Sequence, residues 1–410
     1  VTAAPGLRRN RDFLLLWTGA GLGQLAWRAD SIVYPLLVLW HTGSPAQAGL
    51  VGLAVQLPQL VAQLPAGVLV DRWNRRRTML ACDAGRALLT GALAAGLLLG
   101  HWSLPVLLAV AFLEGALGVF HRLADRALVR TVVHPDDLSA ALSRHEARGR
   151  AAGLIGQPAG TALFALLRWL PFVFTTLAYL VSLISVWGIR ATAPPAARRR
   201  ERSLTAELAD GVRAAWSDRF LRVVMFLVAG SNVLFQVFTL AVIMIIHDAG
   251  GSPAAVGVVM AMSGAGGVAG ALTGNAWTSR LSTRAVVITG FAAWAVLIPL
   301  AVPARHPVLL GLLYALMSYI GAVFNVAGAI YQVRTTPDAQ QGRVASVLAL
   351  LGSGANALGP AAGGAALSAA GTGHVLLGLG AVMLALAVVA VLSPSLRAPA
   401  PDAVAHMETV

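Results

Sequence analysis

Ionisable side chains are scarce inside the apolar runs of this chain. Each one there demands a reason, because a charge at the centre of a bilayer-length helix costs at least about 2.5 kcal/mol. Glu114 stands in the middle of one such run, and Asp30 and Arg28 lie within the first. A carboxylate in a poorly solvated cavity takes up and releases a proton as its access changes sides. Glu114 is therefore the first candidate for a proton-coupling site and Asp30 the second. Residues two apart on a helix face nearly opposite ways, so Arg28 is a poor partner for Asp30 and is expected to reach Glu114 or another helix. A purely structural buried ion pair is the competing reading. Asp83 and Arg86 read as structural residues near the cytoplasmic end of the third run.

Neutral polar groups supply the remaining candidates for a cavity lining: Gln24 in the first run, Asn232 and Gln236 in the seventh, Tyr319 and Asn325 in the tenth. Asn232 and Gln236 are four apart and share a helix face. Hydrogen bonding between helices is the alternative use for any of them. Trp27, Phe235 and Trp294 add aromatic surface, which suits a bulky amphipathic small molecule better than an ion or a sugar. A single cysteine, Cys82, excludes a disulfide within the chain and any cysteine-based metal cluster. No metal or cofactor is expected. His41, His101, His247, His306 and His374 fall in loops, where solvated histidine is the ordinary case.

The elements that must position these groups are long apolar helices. The 410 residues are 57% hydrophobic and 11% charged, with a mean hydropathy of +0.74, far from the balance of a water-soluble domain. Runs such as Leu376 to Leu392 are apolar throughout and lack the alternation of a membrane β-barrel strand. A net charge of +13 raises the question of nucleic acid, but the charge lies in loops, so a nucleic-acid partner is not expected. All thirty basic residues are arginine.

Twelve spans are predicted near 13–40, 46–70, 78–100, 103–122, 150–169, 171–189, 222–246, 254–277, 285–303, 307–331, 344–369 and 373–392. The first apolar run is too long for a cleaved leader and is expected to be the first helix. Alternate loops differ in charge: one set holds Arg8, Arg9 and Arg11, Arg72 to Arg77, Arg122 to Arg150, Arg190 to Arg222, Arg280, Arg284, Arg334 and Arg343, the other only Arg168 and Arg305. Short cytoplasmic loops retain arginine, so both termini are predicted to be cytoplasmic in a multi-pass inner-membrane protein. The expected organisation is an N-terminal six-helix bundle, 1–190, a cytoplasmic linker, 191–221, a C-terminal six-helix bundle, 222–396, and a tail, 397–410. Leu204, Leu208, Val212 and Trp216 give the linker an amphipathic helix.

The halves repeat. Pro135-Asp136 matches Pro337-Asp338, and Pro158 matches Pro360, both at an offset of 202 residues. Six-plus-six repetition is the mark of many alternating-access transporters. Between the second and third runs stands Gly67-Val-Leu-Val-Asp71-Arg72-Trp-Asn-Arg75-Arg76-Arg77. It resembles the loop signature of the major facilitator superfamily, G-x-L-x-D-R-x-x-R-[RK]. The resemblance implies two pseudo-symmetric six-helix bundles, with helices one, four, seven and ten around a central cavity. It also implies a conformational latch in which Gly67 lets helices approach, Asp71 engages the start of helix eleven, and Arg72, Arg75, Arg76 and Arg77 act on the cytoplasmic face. The second copy, Gly274 to Arg280, lacks the aspartate. Helix five carries Gly153, Gly156, Pro158 and Gly160, and helix eleven Gly359, Pro360, Gly363 and Gly364. Both are similar to the Gly-Pro motif of family exporters, where small residues permit close packing.

The likeness is greatest to the branch holding enterobactin exporters and macrolide-efflux proteins. It implies proton-coupled efflux of a hydrophobic or amphipathic small molecule by a monomer in the lipid bilayer. One departure is that Ala111 and Glu114-Gly115 stand where many drug antiporters carry an arginine and then Gln-Gly. An uptake symporter or a lipid transporter on the same fold is the alternative. A membrane sensor is disfavoured by the shortness of the loops. The chain carries no H-E-x-x-H, G-x-S-x-G or phosphate-loop motif, and enzyme activity is not expected.

Overall fold

The computed structural model describes Leu7 and residues 9–190, 219–335 and 338–393. The linker segment 191–218, with the amphipathic helix expected there, and the tail from 394 onward lie outside the described residues. Twelve α-helices lie among those described: α1 (Arg11–Thr42), α2 (Pro45–Val61), α3 (Gln63–Arg72), α4 (Arg75–Leu98), α5 (Leu104–Val132), α6 (Leu138–Leu166), α7 (Leu170–Trp187), α8 (Arg219–Asp248), α9 (Pro253–Thr278), α10 (Thr283–Leu297), α11 (Pro307–Thr335) and α12 (Asp338–Leu392). In hydrocarbon every backbone polar group must be satisfied within its own segment, and helices do this. Eight of these helices are long and apolar enough to cross a membrane, nine if the bent pair α2 and α3 is one span.

Side chains punctuate the helices at their ends. Asn10, Ser44, Asn74 and Ser282 cap α1, α2, α4 and α10, each accepting from a backbone N–H in the first turn. Gly43 ends α1 in the left-handed conformation, φ 65°, its N–H bonded to Leu39 O at 2.9 Å. Gly371, φ 74°, breaks α12 between the two spans predicted there. A side chain at either position would be strained.

The largest departure from the predicted spans concerns the charged stretch 122–150, expected as a loop. It is helical, apart from a short connection that includes the turn Pro135–Asp137. α5 runs ten residues past the predicted end, and α6 begins twelve before its predicted start. Hydropathy marks where lipid stops, whereas helix propensity in Ala-, Leu- and Arg-rich sequence continues into water.

Residues up to 190, with 250–257, form one compact unit, and 219–249 with 258–393 a second. In the first, Phe13, Leu16, Met79, Leu128 and Val186 build an apolar cluster joining α1, α4, α5 and α7. α1 and α6 are held together by glycine. A Cβ on Gly160 would stand 2.8 Å from Ala29 O, and one on Gly156 would stand 2.5 Å from Arg28 Cβ. The second unit repeats the device between α8 and α12, where Gly359 meets Gln236 Cβ at 2.5 Å and Gly363 meets Val237 Cα at 3.0 Å. Gly352 and Asn232 repeat the contact of Gly149 with Gln24. The glycines are offset by 203 residues and their partners by 208, so helix pairing repeats along with the sequence. Gly364 is buried, and Pro158 and Pro360 lie inside α6 and α12. Gly67 departs from its expected packing role: no described residue lies within 4 Å of where its Cβ would be.

Candidate functional site

Glu114, on α5, is 1% exposed and ten residues from the helix start. Both of its oxygens are held by tyrosine: Tyr34 of α1 donates to Oε2 at 2.7 Å and Tyr179 of α7 to Oε1 at 2.6 Å. Arg86 of α4 donates to the Tyr179 hydroxyl and lies over the same ring, with Nη2 3.9 Å from Glu114 Oε1. Three helices thus converge on one carboxylate. Asp30 is equally enclosed: Oδ1 accepts from Thr175 at 3.0 Å, and Oδ2 has no hydrogen-bond partner among the described residues.

The cation beside Glu114 is Arg86, and Arg28 lies against Gly153 and Gly156 of α6. Arg86 lies eleven residues into α4, well away from the helix end, and belongs to this cluster. Arg28 and Asp30 part company, one facing a cavity and the other Thr175. One turn along α4 from Arg86, Asp83 is fully buried, accepting from Ser182 Oγ at 2.7 Å, with His121 Nε2 3.2 Å from its other oxygen. Further along α5, Asp125 Oδ2 accepts from Arg148 Nη2 at 3.0 Å, and Arg148 Nη1 donates to Trp17 O at 2.9 Å. His145 stands 3.5 Å from Asp125 and precedes the predicted span of its helix. Burial lowers its pKa from the ordinary value, against an opposing pull from Asp125.

Arg86, His121, Asp125, His145 and Arg148 line a cavity of about 790 Å³ built from the first unit, with Gln24, Trp27 and Arg28 in the same wall. That volume suits a drug-sized molecule. In the second unit, Gln236 and Tyr319 make contacts between helices. Gln236 Nε2 donates to Asn356 O at 3.2 Å. The Tyr319 hydroxyl accepts from Thr273 and from Trp277 Nε1, tying α11 to α9. Trp294, expected as aromatic cavity surface, is core: it is 3% exposed and donates to Met317 O. Asn232 is half-buried and Asn325 exposed.

In the loop motif, Asp71 and Arg72 are exposed at the end of α3, and the expected partner of Asp71 lies outside the residues whose side chains are described. Arg76 caps the end of α7, donating from Nε to Val186 O at 3.2 Å and from Nη2 to Trp187 O. Arg75 and Arg77 open α4, with the N–H of Arg77 bonded to Asn74. Tyr34 and Tyr179 are members of the buried cluster that sequence reasoning missed, and Arg86, read there as structural, belongs to it.

An all-helical, multi-pass architecture with a polar cluster and a drug-sized cavity inside apolar helices defines a membrane transporter. The chain belongs to the Major Facilitator Superfamily, whose family profile matches residues 16–246 and 231–409. Among curated relatives it is similar to the multidrug efflux pump Tap of Mycobacterium tuberculosis, 29% identical over 378 residues, covering 86% of this chain and 85% of that protein. Tap of Mycolicibacterium fortuitum is likewise 29% identical, over 362 residues, covering 85% and 86%. Among solved structures, a bacterial homologue of the human lysosomal transporter Spinster superposes with a TM-score of 0.75 at 14% identity, over 96% of this chain and 98% of that one. The nucleoside transporter NupG gives 0.70 at 15% identity, over 93% and 98%.

Proposed function

We propose that this protein is a proton-coupled exporter of amphipathic small molecules, working by alternating access of two six-helix bundles with both termini in the cytoplasm. Counting α2 with α3 as one span and α12 as two arms about Gly371, and adding α1 and α6, gives twelve crossings. The boundaries 1–190 and 222–396 frame the two bundles. The similarity to Tap, a multidrug efflux pump by name, favours export.

The observation that carries the coupling reading is the enclosure of Glu114. A carboxylate held by two hydroxyls, beside a guanidinium that also lines the cavity, has one partner set that can rearrange when it gains or loses a proton. Protonation cancels its attraction for Arg86, freeing that cation toward the cavity. Arg86 then occupies space that substrate would fill, so substrate binding and proton binding exclude one another, as antiport requires. Asp30, with an oxygen open to a proton, is the second site. Gln24 and Arg28 contact substrate; Asn232, Gln236, Tyr319 and Asn325 are assigned to the opposite bundle. The Asp71 loop is the latch, biasing one of two rocked states.

The test is reconstitution in liposomes under an imposed pH gradient, recording lumenal pH while hydrophobic cations, macrolide-like compounds and siderophores are added. Proton movement opposite to the compound establishes antiport. Movement in the same direction supports a symporter instead, and transport without proton movement removes the coupling assignment.

A further inference from the structure

The cavity in the first unit carries far more positive charge than its own acids neutralise. Six arginines stand in its wall against two carboxylates, Asp125 and Glu146. Those carboxylates are engaged: Asp125 holds Arg148 at 3.0 Å and Glu146 holds Arg150 at 3.3 Å. Arg86 is balanced by Glu114. Arg28, Arg122 and Arg126 remain, and among the described residues none of them meets a carboxylate; Arg122 donates to the neutral Gln59.

Arg28 is the most telling of the three. Arginines at a cytoplasmic helix end set topology and need no ligand. At 1.5 Å per residue, however, Arg28 lies about 25 Å along α1 from Arg11, in the middle of the span. Its Nε is buried with no hydrogen-bond partner among the described residues, its guanidinium carbon stands 4.9 Å from the centre of the Trp27 ring, and it lines the cavity. The slot for its stem exists only because α6 has glycine opposite: a Cβ on Gly156 would collide with Arg28 Cβ, and one on Gly153 would touch Nε at 3.9 Å. The helix-packing motif is thus also the seat of a mid-membrane cation. Arg86 adds a second buried Nε without a partner in the same wall.

We propose that this cavity binds an amphipathic anion, its carboxylate, sulfonate or phosphate group held by Arg28 with Arg122 and Arg126, and its apolar body against Trp27. The proposal rests on the transporter reading and narrows its substrate class. A planar guanidinium with free donors matches such oxyanions in a way that no cation can use.

The experiment compares two dyes on one xanthene frame, fluorescein as the anion and rhodamine 6G as the cation. Their binding to the purified full chain is followed by fluorescence anisotropy in detergent and in phosphatidylcholine nanodiscs. Fluorescein is expected to bind at least about tenfold more tightly than rhodamine 6G, and Arg28→Gln to weaken it by about tenfold or more, with partial recovery in Arg28→Lys. Should Arg28→Gln fail to fold, Arg126→Gln at an exposed position is expected to weaken fluorescein by a smaller factor. Equal or tighter binding of rhodamine 6G, or fluorescein binding untouched by these substitutions, overturns the proposal. Competition by phosphatidylglycerol nanodiscs assigns the anion to a lipid headgroup, and its absence assigns it to a soluble small molecule. Transport is read separately in inverted vesicles. Movement of rhodamine 6G without fluorescein binding leaves the exporter standing and removes the anion site, whereas Arg28-dependent fluorescein binding with no dye moved does the reverse.

Discussion

The hydroxyl of Tyr179 stands between Glu114 and Arg86, donating to the carboxylate at 2.6 Å and accepting from the guanidinium. It is a hinge between two charges whose own separation, 3.9 Å, is too long for a hydrogen bond. Glu114→Gln keeps a group able to bond both tyrosines but removes the charge. Proton-linked transport is therefore expected to vanish while the variant folds. Tyr179→Phe leaves one oxygen of Glu114 and Arg86 short of a partner, lowering stability by about 1–3 kcal/mol. Thermal unfolding in detergent, paired with transport driven by a pH gradient, separates the two. Unchanged proton-linked transport in Glu114→Gln sinks the assignment.

Two glycines of the sequence motifs are expected to behave oppositely on substitution. Gly160→Ala drives a methyl group to within 2.9 Å of the backbone of Ala29, which cannot move without separating α1 from α6, so a loss of about 1–3 kcal/mol and of folded yield follows. Gly67→Ala enters space that no described residue fills and leaves the melting temperature nearly unchanged. Melting curves of the two purified variants check the pair, and equal losses would refute the packing account.

The difference between these glycines was not legible in the chain, because Gly67 and Gly160 both stand in motifs and only their neighbours separate them. The apolar spans, the internal repeat and the family were legible, since lipid imposes length and hydropathy on every crossing. Glu114 and Asp30 stood out for the same reason, as charges where charge is costly. Tyr34 and Tyr179 did not: a tyrosine in an apolar run looks like ordinary packing, and these meet Glu114 from 80 and 65 residues away. Position within a span does not set them apart, since Tyr314 and Tyr319 lie inside a predicted span as well. Arg122 and Arg126 were hidden differently. A charge-rich stretch reads as loop, yet it continues α5 and lines the cavity.

The arginines of the loop motif divide by partner. Arg76 satisfies two carbonyls at the end of α7, where the helix dipole favours a cation, so Arg76→Gln is expected to lower stability by about 1 kcal/mol. Asp71 is exposed, and Asp71→Asn is expected to leave the melting temperature within experimental scatter while slowing transport several-fold through loss of the latch. Melting curves and initial transport rates on both variants check this. A stability loss in Asp71→Asn as large as that in Arg76→Gln would make Asp71 a structural residue instead.

His145 gives the fold a dependence on pH whose sign can be worked out. Burial holds its pKa below the ordinary histidine value; Asp125 opposes that shift, while Arg148 and Arg126 reinforce it and Glu146 opposes it more weakly. The folded protein therefore prefers the neutral imidazole. Between the folded pKa and the unfolded value of about 6.5, the unfolded chain binds more protons, so stability rises with pH across that window. The contribution is complete above about pH 6.5, is lost as pH falls below it, and levels off below the folded pKa. Replacing the ring by a group that does not titrate removes this slope: in His145→Gln the fall in melting temperature from about pH 7.5 to about pH 5.5 is expected to be smaller than in the parent. Asp125→Asn in the same background separates the share of the carboxylate that faces the ring. Parallel melting curves for parent and His145→Gln between those pH values would show that the imidazole is solvated in both states, and that Arg148 holds Asp125 without it.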